Sequence, residues 1–151
     1  MLVKYSVEVV GPIGLGMIAQ EDIPEGTMVF NHEVANLRKF TTPAEYEAYL
    51  DTLSEEEQKK VISYTYCCNN DINLPEDGIR FLNHSWNPNI GYKNETIDQM
   101  FAYRDIKKGE ELLADYNEFQ HIDWLEEVSE RRGGTSCRKL LKVLNNLRES
   151  V

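Results

Sequence analysis

Residues 80–89 read RFLNHSWNPN. No helical or strand period runs through them. Phe81 and Leu82 are apolar, Asn83, His84 and Ser85 are polar, and Asn87-Pro88-Asn89 has the composition of a turn. Taken alone, His84 reads as a core histidine with its nitrogens satisfied, and Asn-Pro-Asn as a plain turn. The segments on either side change that reading.

Downstream, DQMFAYRDI (98–106) reads as a strand, KKG (107–109) as a turn and EELLADY (110–116) as a short extended segment. Tyr116 by itself would be an ordinary buried aromatic with a bonded hydroxyl. Upstream, residues 7–20 read VEVVGPIGLGMIAQ: a strand-like run over 5–10, then glycines at 11, 14 and 16. A dinucleotide fold needs a helix directly after such a turn, its N-terminus facing the pyrophosphate. Here Pro24 and Gly26 follow too soon, and AQEDIPEGTMVF reads as strand, turn, strand. A Walker loop is excluded as well, because no Lys-Ser or Lys-Thr follows the glycines.

Residues 42–66 read as helical. Thr42 is an N-cap with Pro43 at the first helical position and Glu45 three residues on, and Ser54 with Glu57 repeats the signature for a second helix running into ISYTY. CCNNDINLPEDG (67–78) reads as a turn-rich connection. A helical piece lies near 122–132, and Gly133-Gly134 separates it from a helix at 138–148. In that last helix Leu140, Val143, Leu144 and Leu147 form an apolar stripe. AQEDIPEG (19–26) and AYRDIKKG (102–109) share Ala-x-x-Asp-Ile-x-x-Gly, which reads as one turn used twice in a sheet-rich domain.

The chain has 151 residues, enough for one domain with a real core. Its net charge of −10 argues against a phosphate-backbone ligand and is compatible with a basic partner. No apolar run suits a membrane helix and the N-terminus lacks a signal-peptide layout, so an intracellular protein is expected. Cys67, Cys68 and Cys137 are odd in number and two are adjacent, which is not a disulfide framework. His32, His84 and His121 do not fall at zinc-finger spacing, so buried or idle thiols are expected.

Together the three segments resemble the signature of SET-domain protein-lysine methyltransferases. Arg80, Phe81, Asn83, His84, Ser85, Pro88 and Asn89 match one motif, and Gly109, Glu110, Glu111, Leu112, Asp115 and Tyr116 a second. Gly14, Leu15 and Gly16 with Ala19, Asp22, Ile23 and Gly26 match the opening motif, in the family's order. The resemblance covers about residues 3–117. It implies a mainly β fold of small sheets, a β-clip, with a helical insert at about 42–66, a knot-like threaded C-terminal segment and a helical tail. The expected division is a catalytic domain over 1–117 and a post-SET-like helical segment over 118–151.

The resemblance also implies S-adenosylmethionine as cofactor, S-adenosylhomocysteine as product, and a lysine side chain entering by a narrow channel. By matching position, Leu15, Gly16 and Met17 would line the cofactor with backbone groups, and Arg80, Asn83 and His84 would hold it. Tyr116 would sit at the methyl-transfer centre. Phe30, Tyr64, Tyr66 and Tyr92 would line the channel, with Tyr92 where some members limit the number of methyls. Many members bind zinc through a cysteine after Asn-His-Ser and a C-terminal Cys-x-Cys block. Here Trp86 stands in the first place and the tail holds only Cys137, so no metal is expected. Phe119, His121 and Trp124 could then cover the adenine or channel, or Trp124 could simply pack the tail on the core. Ala114 leaves room near Tyr116 while Tyr92 takes some away, and the methylation degree stays open.

The expected function is transfer of a methyl group to lysine of a basic protein or peptide, a histone tail first, in the nucleus and without direct contact to nucleic acid or membrane. The chain reads as essentially the catalytic domain alone, with homodimerisation through the C-terminal helix as a hypothesis. The alternatives are a non-catalytic SET-fold peptide-binding module and a methyltransferase for a non-histone protein.

Overall fold

The computed structural model describes residues 1–12, 14–68, 71–93 and 98–149. Ile13 of the glycine turn, Asn69 and Asn70 of the turn-rich connection, and Ser150 and Val151 of the tail lie outside the described residues. The strands, in chain order with the helices between them, are β1 (Tyr5–Val9), β2 (Leu15–Ala19), β3 (Met28–Asn31) and β4 (Leu37–Phe40). Then come α1 (Pro43–Asp51), α2 (Glu55–Tyr64), β5 (Tyr66–Cys68) and β6 (Asp71–Pro75). The remainder is β7 (Asn83–His84), β8 (Ile90–Tyr92), β9 (Gln99–Ala102), β10 (Glu111–Ala114), α3 (Asp123–Arg132) and α4 (Cys137–Glu149). The chain forms two compact units, one of Met1–Leu37 with Pro75–Glu118, the other of Arg38–Leu74 with Phe119–Val151.

The first unit holds two small sheets, ordered β1-β2-β10-β7 and β3-β9-β8. In β2 and β10 the period-2 rule places Met17, Ala19, Leu112 and Ala114 inward, each fully buried. β7 runs parallel to β10, with Leu113 beside Asn83 and Ala114 beside His84. A parallel pair has no hairpin to hold it. Asn89 supplies the missing constraint. It is 1% exposed, its Nδ2 donates to the Glu111 carbonyl at 2.8 Å, and its Oδ1 accepts the Leu113 N–H at 2.8 Å. Its own N–H donates to the Leu113 carbonyl at 3.0 Å. One side-chain amide thus imitates a strand residue and pins β10.

The repeated Ala-x-x-Asp-Ile-x-x-Gly segments face each other. Ile23 and Ile106 exchange backbone hydrogen bonds at 2.7 and 2.8 Å. Asp22 accepts the Lys108 N–H at 2.9 Å, and Asp105 accepts the Glu25 N–H at 2.8 Å. Gly26 donates to the Ala102 carbonyl and Gly109 to the Ala19 carbonyl, at 2.9 and 2.8 Å. Each of these contacts of one copy has its counterpart in the other, so the repeat is a local two-fold, and the turn is indeed used twice.

In the second unit both helix starts are capped as the sequence predicts: Thr42 Oγ accepts from the Glu45 N–H, and Ser54 Oγ from the Glu57 N–H, each at 3.2 Å. Glu45 reaches back one residue further than a capping box requires, to the N–H and hydroxyl of Thr41. Two sequence expectations need correction. The helical stretch ends at Tyr64, because Thr65 is extended and Tyr66 opens a strand. The expected turn-rich connection contains an antiparallel pair, β5 with β6, in a sheet ordered β4-β6-β5. Alternating Ile72 and Leu74 are the strand signal, and both are buried. Strand β4 was not anticipated either.

Tyr46, Leu50, Ile62, Leu125 and Val128 from three helices pack with Phe40, Cys67, Ile72 and Leu74. Trp124 lies edge-on to Tyr46 at 5.7 Å, so it packs α3 into this core. On α4, Leu141 is buried, but Val143 and Leu147 of the apolar stripe are 51% and 60% exposed. Among the described residues no helix is long and apolar enough to cross a membrane.

Asn89→Ala strands two polar groups of the β10 backbone, each a loss of about 1–3 kcal/mol when buried. We expect urea unfolding to show about 3 kcal/mol of destabilisation. Asn89→Asp, which cannot donate to Glu111, should also unfold earlier than the wild type.

Candidate active site

The three distant motifs meet in the first unit. β2 is flanked by β1 along its whole length, but β10 pairs only with Met17 and Ile18. The Leu15–Gly16 end is therefore left without a strand on that side. Asn83 fills the place: its Nδ2 donates to the Leu15 carbonyl at 3.0 Å and to Glu111 Oε2 at 2.9 Å. With both N–H bonds so used, the Oδ1 of Asn83 is left as an acceptor. Gly16 lies so close to this cluster that a Cβ there would stand 2.6 Å from Glu111 Oε2. Leu15 is 41% exposed, whereas Met17 is fully buried and paired with Val7 on one side and Leu112 on the other.

His84 is held next. Its Nδ1 accepts the Tyr116 N–H at 3.0 Å. That bond fixes the neutral tautomer with the proton on Nε2. Nε2 is buried and has no hydrogen-bond partner among the described residues. The ring stands perpendicular to Trp86, with centroids 4.4 Å apart, and lies 5.2 Å from the Tyr116 ring. Burial pushes the His84 pKa below its ordinary value, partly opposed by Asp115 at 3.7 Å. Tyr116 opens a short 3-10 turn, Tyr116–Glu118, and its hydroxyl donates to the Leu82 carbonyl. Tyr116 is thus tied to the 82–84 segment at both its N–H and its hydroxyl.

The expected channel residues fall in both units. Phe30 on β3 and Tyr92 on β8 both pair with Met100 on β9, so the three share one face of that sheet. Phe30 and Met100 are each 3% exposed. Met100 was missed in the sequence because nothing marks it apart from other strand residues. Tyr64 and Tyr66 belong to the second unit, at the end of α2 and the start of β5. Arg80 is exposed on the turn preceding β7, its guanidinium 5.0 Å from the Phe81 ring centre.

None of the three cysteines is in a disulfide. Burial pushes Cys67 up to about 12 and Cys137 up to about 11. Both therefore stay protonated and weakly nucleophilic. Among the described residues no group of three or more His, Cys, Asp or Glu is arranged to hold a metal ion.

Residues 14–117 match the SET domain family. The chain belongs to that family. It is 30% identical over 143 residues to the Drosophila melanogaster histone-lysine N-methyltransferase trr, covering 83% of this chain and 5% of that protein. It is 30% identical over 144 residues to the Arabidopsis thaliana histone-lysine N-methyltransferase ASHH3, covering 86% of this chain and 36% of that one. The chain therefore spans well under half the length of these relatives. Among solved structures it resembles ctPRC2 in an autoinhibited conformation bound to S-adenosylmethionine, with 24% identity, a TM-score of 0.57, and coverage of 87% of this chain and 17% of the other. At that identity the likeness shows the fold, which is mainly β in several small sheets with a few helices.

The depressed His84 pKa has a testable sign. In the unfolded chain a histidine titrates near pH 6.5. The stability His84 contributes by staying neutral is complete above that value and is lost as pH falls through the lower folded pKa. We expect unfolding free energy to drop between pH 7 and pH 5, and by less in His84→Gln. NMR of the imidazole should show titration below the unfolded value.

Proposed function

We propose that the chain is an S-adenosylmethionine-dependent protein-lysine methyltransferase. The observation that carries this reading is Asn83, whose amide joins the Leu15–Gly16 backbone to Glu111 beside His84 and Tyr116. An adenosine sulfonium cofactor presents an ammonium that needs acceptors and ring nitrogens that need donors. The Oδ1 of Asn83 and the orphaned Nε2–H of His84 fit those two needs. Leu15, Gly16 and Met17 would add backbone groups, and Arg80 a cation for the carboxylate end. When bound, the cofactor supplies an activated methyl on a positively charged sulfur.

The chain's own residues then have three tasks. They must hold the two reactants in line, admit the lysine as a neutral amine, and keep water out. Neutralising a lysine of ordinary pKa at pH 7 costs about 4–5 kcal/mol. An apolar channel lowers that cost by penalising the ammonium, and the aromatic face carrying Phe30 and Tyr92 supplies such a wall. Tyr64 and Tyr66 are assigned to the channel on the resemblance alone. Tyr116 needs no strength as a base, since a phenol titrates near 10. Its role is to orient amine and methyl.

The proposed substrate is a basic protein, a histone tail in the first instance, in keeping with the charge of −10 and with the names of the relatives. A nuclear location, independence of metal and of nucleic acid, and the division at residues 117/118 are proposed with it. A homodimer through α4 is proposed from the exposed Val143 and Leu147. A sedimentation mass near 17.5 kDa at micromolar concentration would overturn the dimer.

The deciding experiment is a radiolabelled methyl-transfer assay on each core histone and on a histone-depleted extract. We expect transfer by the wild type and a loss of about 100-fold or more in Tyr116→Phe. S-adenosylhomocysteine should stabilise both proteins, by about 2.7 kcal/mol at a hundredfold excess over Kd. No transfer to any protein would leave a non-catalytic peptide-binding module. Transfer only in the extract would move the substrate to a non-histone protein.

A further inference from the structure

Two residues outside the three family motifs converge on Tyr92. Glu118 closes the same short turn that Tyr116 opens. Its Oε2 accepts the Tyr92 N–H at 3.3 Å. Tyr103, one residue past β9, places its hydroxyl 3.0 Å from each oxygen of Glu118 and 2.7 Å from the Tyr92 carbonyl. Both backbone polar groups of Tyr92 are therefore engaged by this pair. Gly91 makes the approach possible, since a Cβ there would collide with the Tyr103 hydroxyl and lie 2.5 Å from Glu118 Oε2. Glycine is the residue type that lets other groups come so near the backbone.

The chemistry of the cluster is one-directional. Burial and the neighbouring Glu118 push the Tyr103 ionisation well above that of a free phenol, so Tyr103 remains a hydroxyl donor. Glu118 is acceptor-only when ionised. Three oxygens compete for one hydroxyl proton, and the remaining capacity of Glu118 goes to the Tyr92 N–H. Tyr92 lies at the last position of β8, where the ladder to β9 ends.

We propose that Glu118 and Tyr103 are a positioning pair that sets Tyr92 relative to Tyr116 and so determines how many methyl groups the site places on lysine. The proposal rests on the methyltransferase reading above. The link is mechanical: the turn that carries Tyr116 is bonded through Glu118 to the backbone of Tyr92. An added methyl needs room on the scale of one carbon, and a displacement of about 1 Å can cost about 100-fold in rate. Releasing Tyr92 therefore alters both rate and product.

The test uses Glu118→Gln and Tyr103→Phe, which preserve shape. Glu118→Gln removes the charge and turns one of the two oxygens facing the Tyr103 hydroxyl into an NH2 donor, which weakens the grip of the pair on Tyr92. The Tyr103→Phe change removes the hydroxyl and nothing else. We expect each variant to keep the wild-type affinity for S-adenosylhomocysteine within about twofold and to lose about tenfold in kcat. The ratio of mono-, di- and trimethyl product, read by mass spectrometry, should shift the same way in both. The double variant should be no worse than the worse single one, because the two act as a unit. In the cofactor-free protein, 13C-tyrosine NMR should show the Tyr92 and Tyr116 rings both displaced in Glu118→Gln. Unchanged kcat and product ratio in an active protein would overturn the pair, as would a loss that merely tracks lower thermal stability and weaker cofactor binding. If the wild type transfers no methyl, the enzyme reading fails by itself, and unshifted Tyr92 and Tyr116 resonances would then dispose of the positioning link too.

Discussion

The first unit depends on a parallel pairing that nothing local enforces. β7 is only Asn83 and His84 long, and its partner β10 lies far downstream at Glu111–Ala114. Antiparallel neighbours can be joined by a tight turn, whereas parallel ones need some other device. The device here is the buried amide of Asn89, which takes one acceptor and one donor from β10. With β10 fixed, Tyr116 comes down on His84, Asn83 reaches Leu15, and the end of β2 becomes one wall of the site. Remove that register and the motif residues no longer meet.

The same pairing sets the electrostatics. Because the Tyr116 N–H occupies Nδ1, the His84 imidazole is neutral and its second nitrogen must donate. The ring is buried beside Trp86, so charging it would be costly, and Asp115 only partly offsets this. A cationic cofactor bound as proposed would therefore meet no cation at His84. The facing pair of Asp-Ile turns braces the opposite end of β2 and β10. Their reciprocal hydrogen bonds leave the Leu15–Gly16 end as the one that β10 does not reach.

Much of this was legible. The helix starts at Thr42 and Ser54 declare themselves through side chains that satisfy free N–H groups three residues on, a purely local matter. Strands β1, β2, β9 and β10 carry short apolar runs bounded by Gly, Pro or charged turns, and the repeated turn was visible as a repeated string. The β5–β6 pair was not, because Asn and Asp in the connection hid the alternation of Ile72 and Leu74. Nor was β4, whose Leu37–Phe40 mixes charge with apolar residues and gains its place only from β6. The stripe on α4 correctly indicated an amphipathic helix, yet Val143 and Leu147 remain exposed. Periodicity says which residues share a face and not what covers it.

By itself, the sequence determined which residue types could do chemistry: an asparagine and histidine in an aperiodic segment, a tyrosine after a glutamate pair, and glycines not followed by a helix. It also excluded a phosphate-cradling turn, since that rests on local geometry alone. Only the tertiary structure decided their relations. The tautomer of His84, the use of both Asn83 N–H bonds, the role of Asn89 and the grip of Glu118 and Tyr103 on Tyr92 all depend on partners from distant segments. A hydrogen bond across many residues leaves no period in the sequence, because its geometry is set by the path of the whole chain.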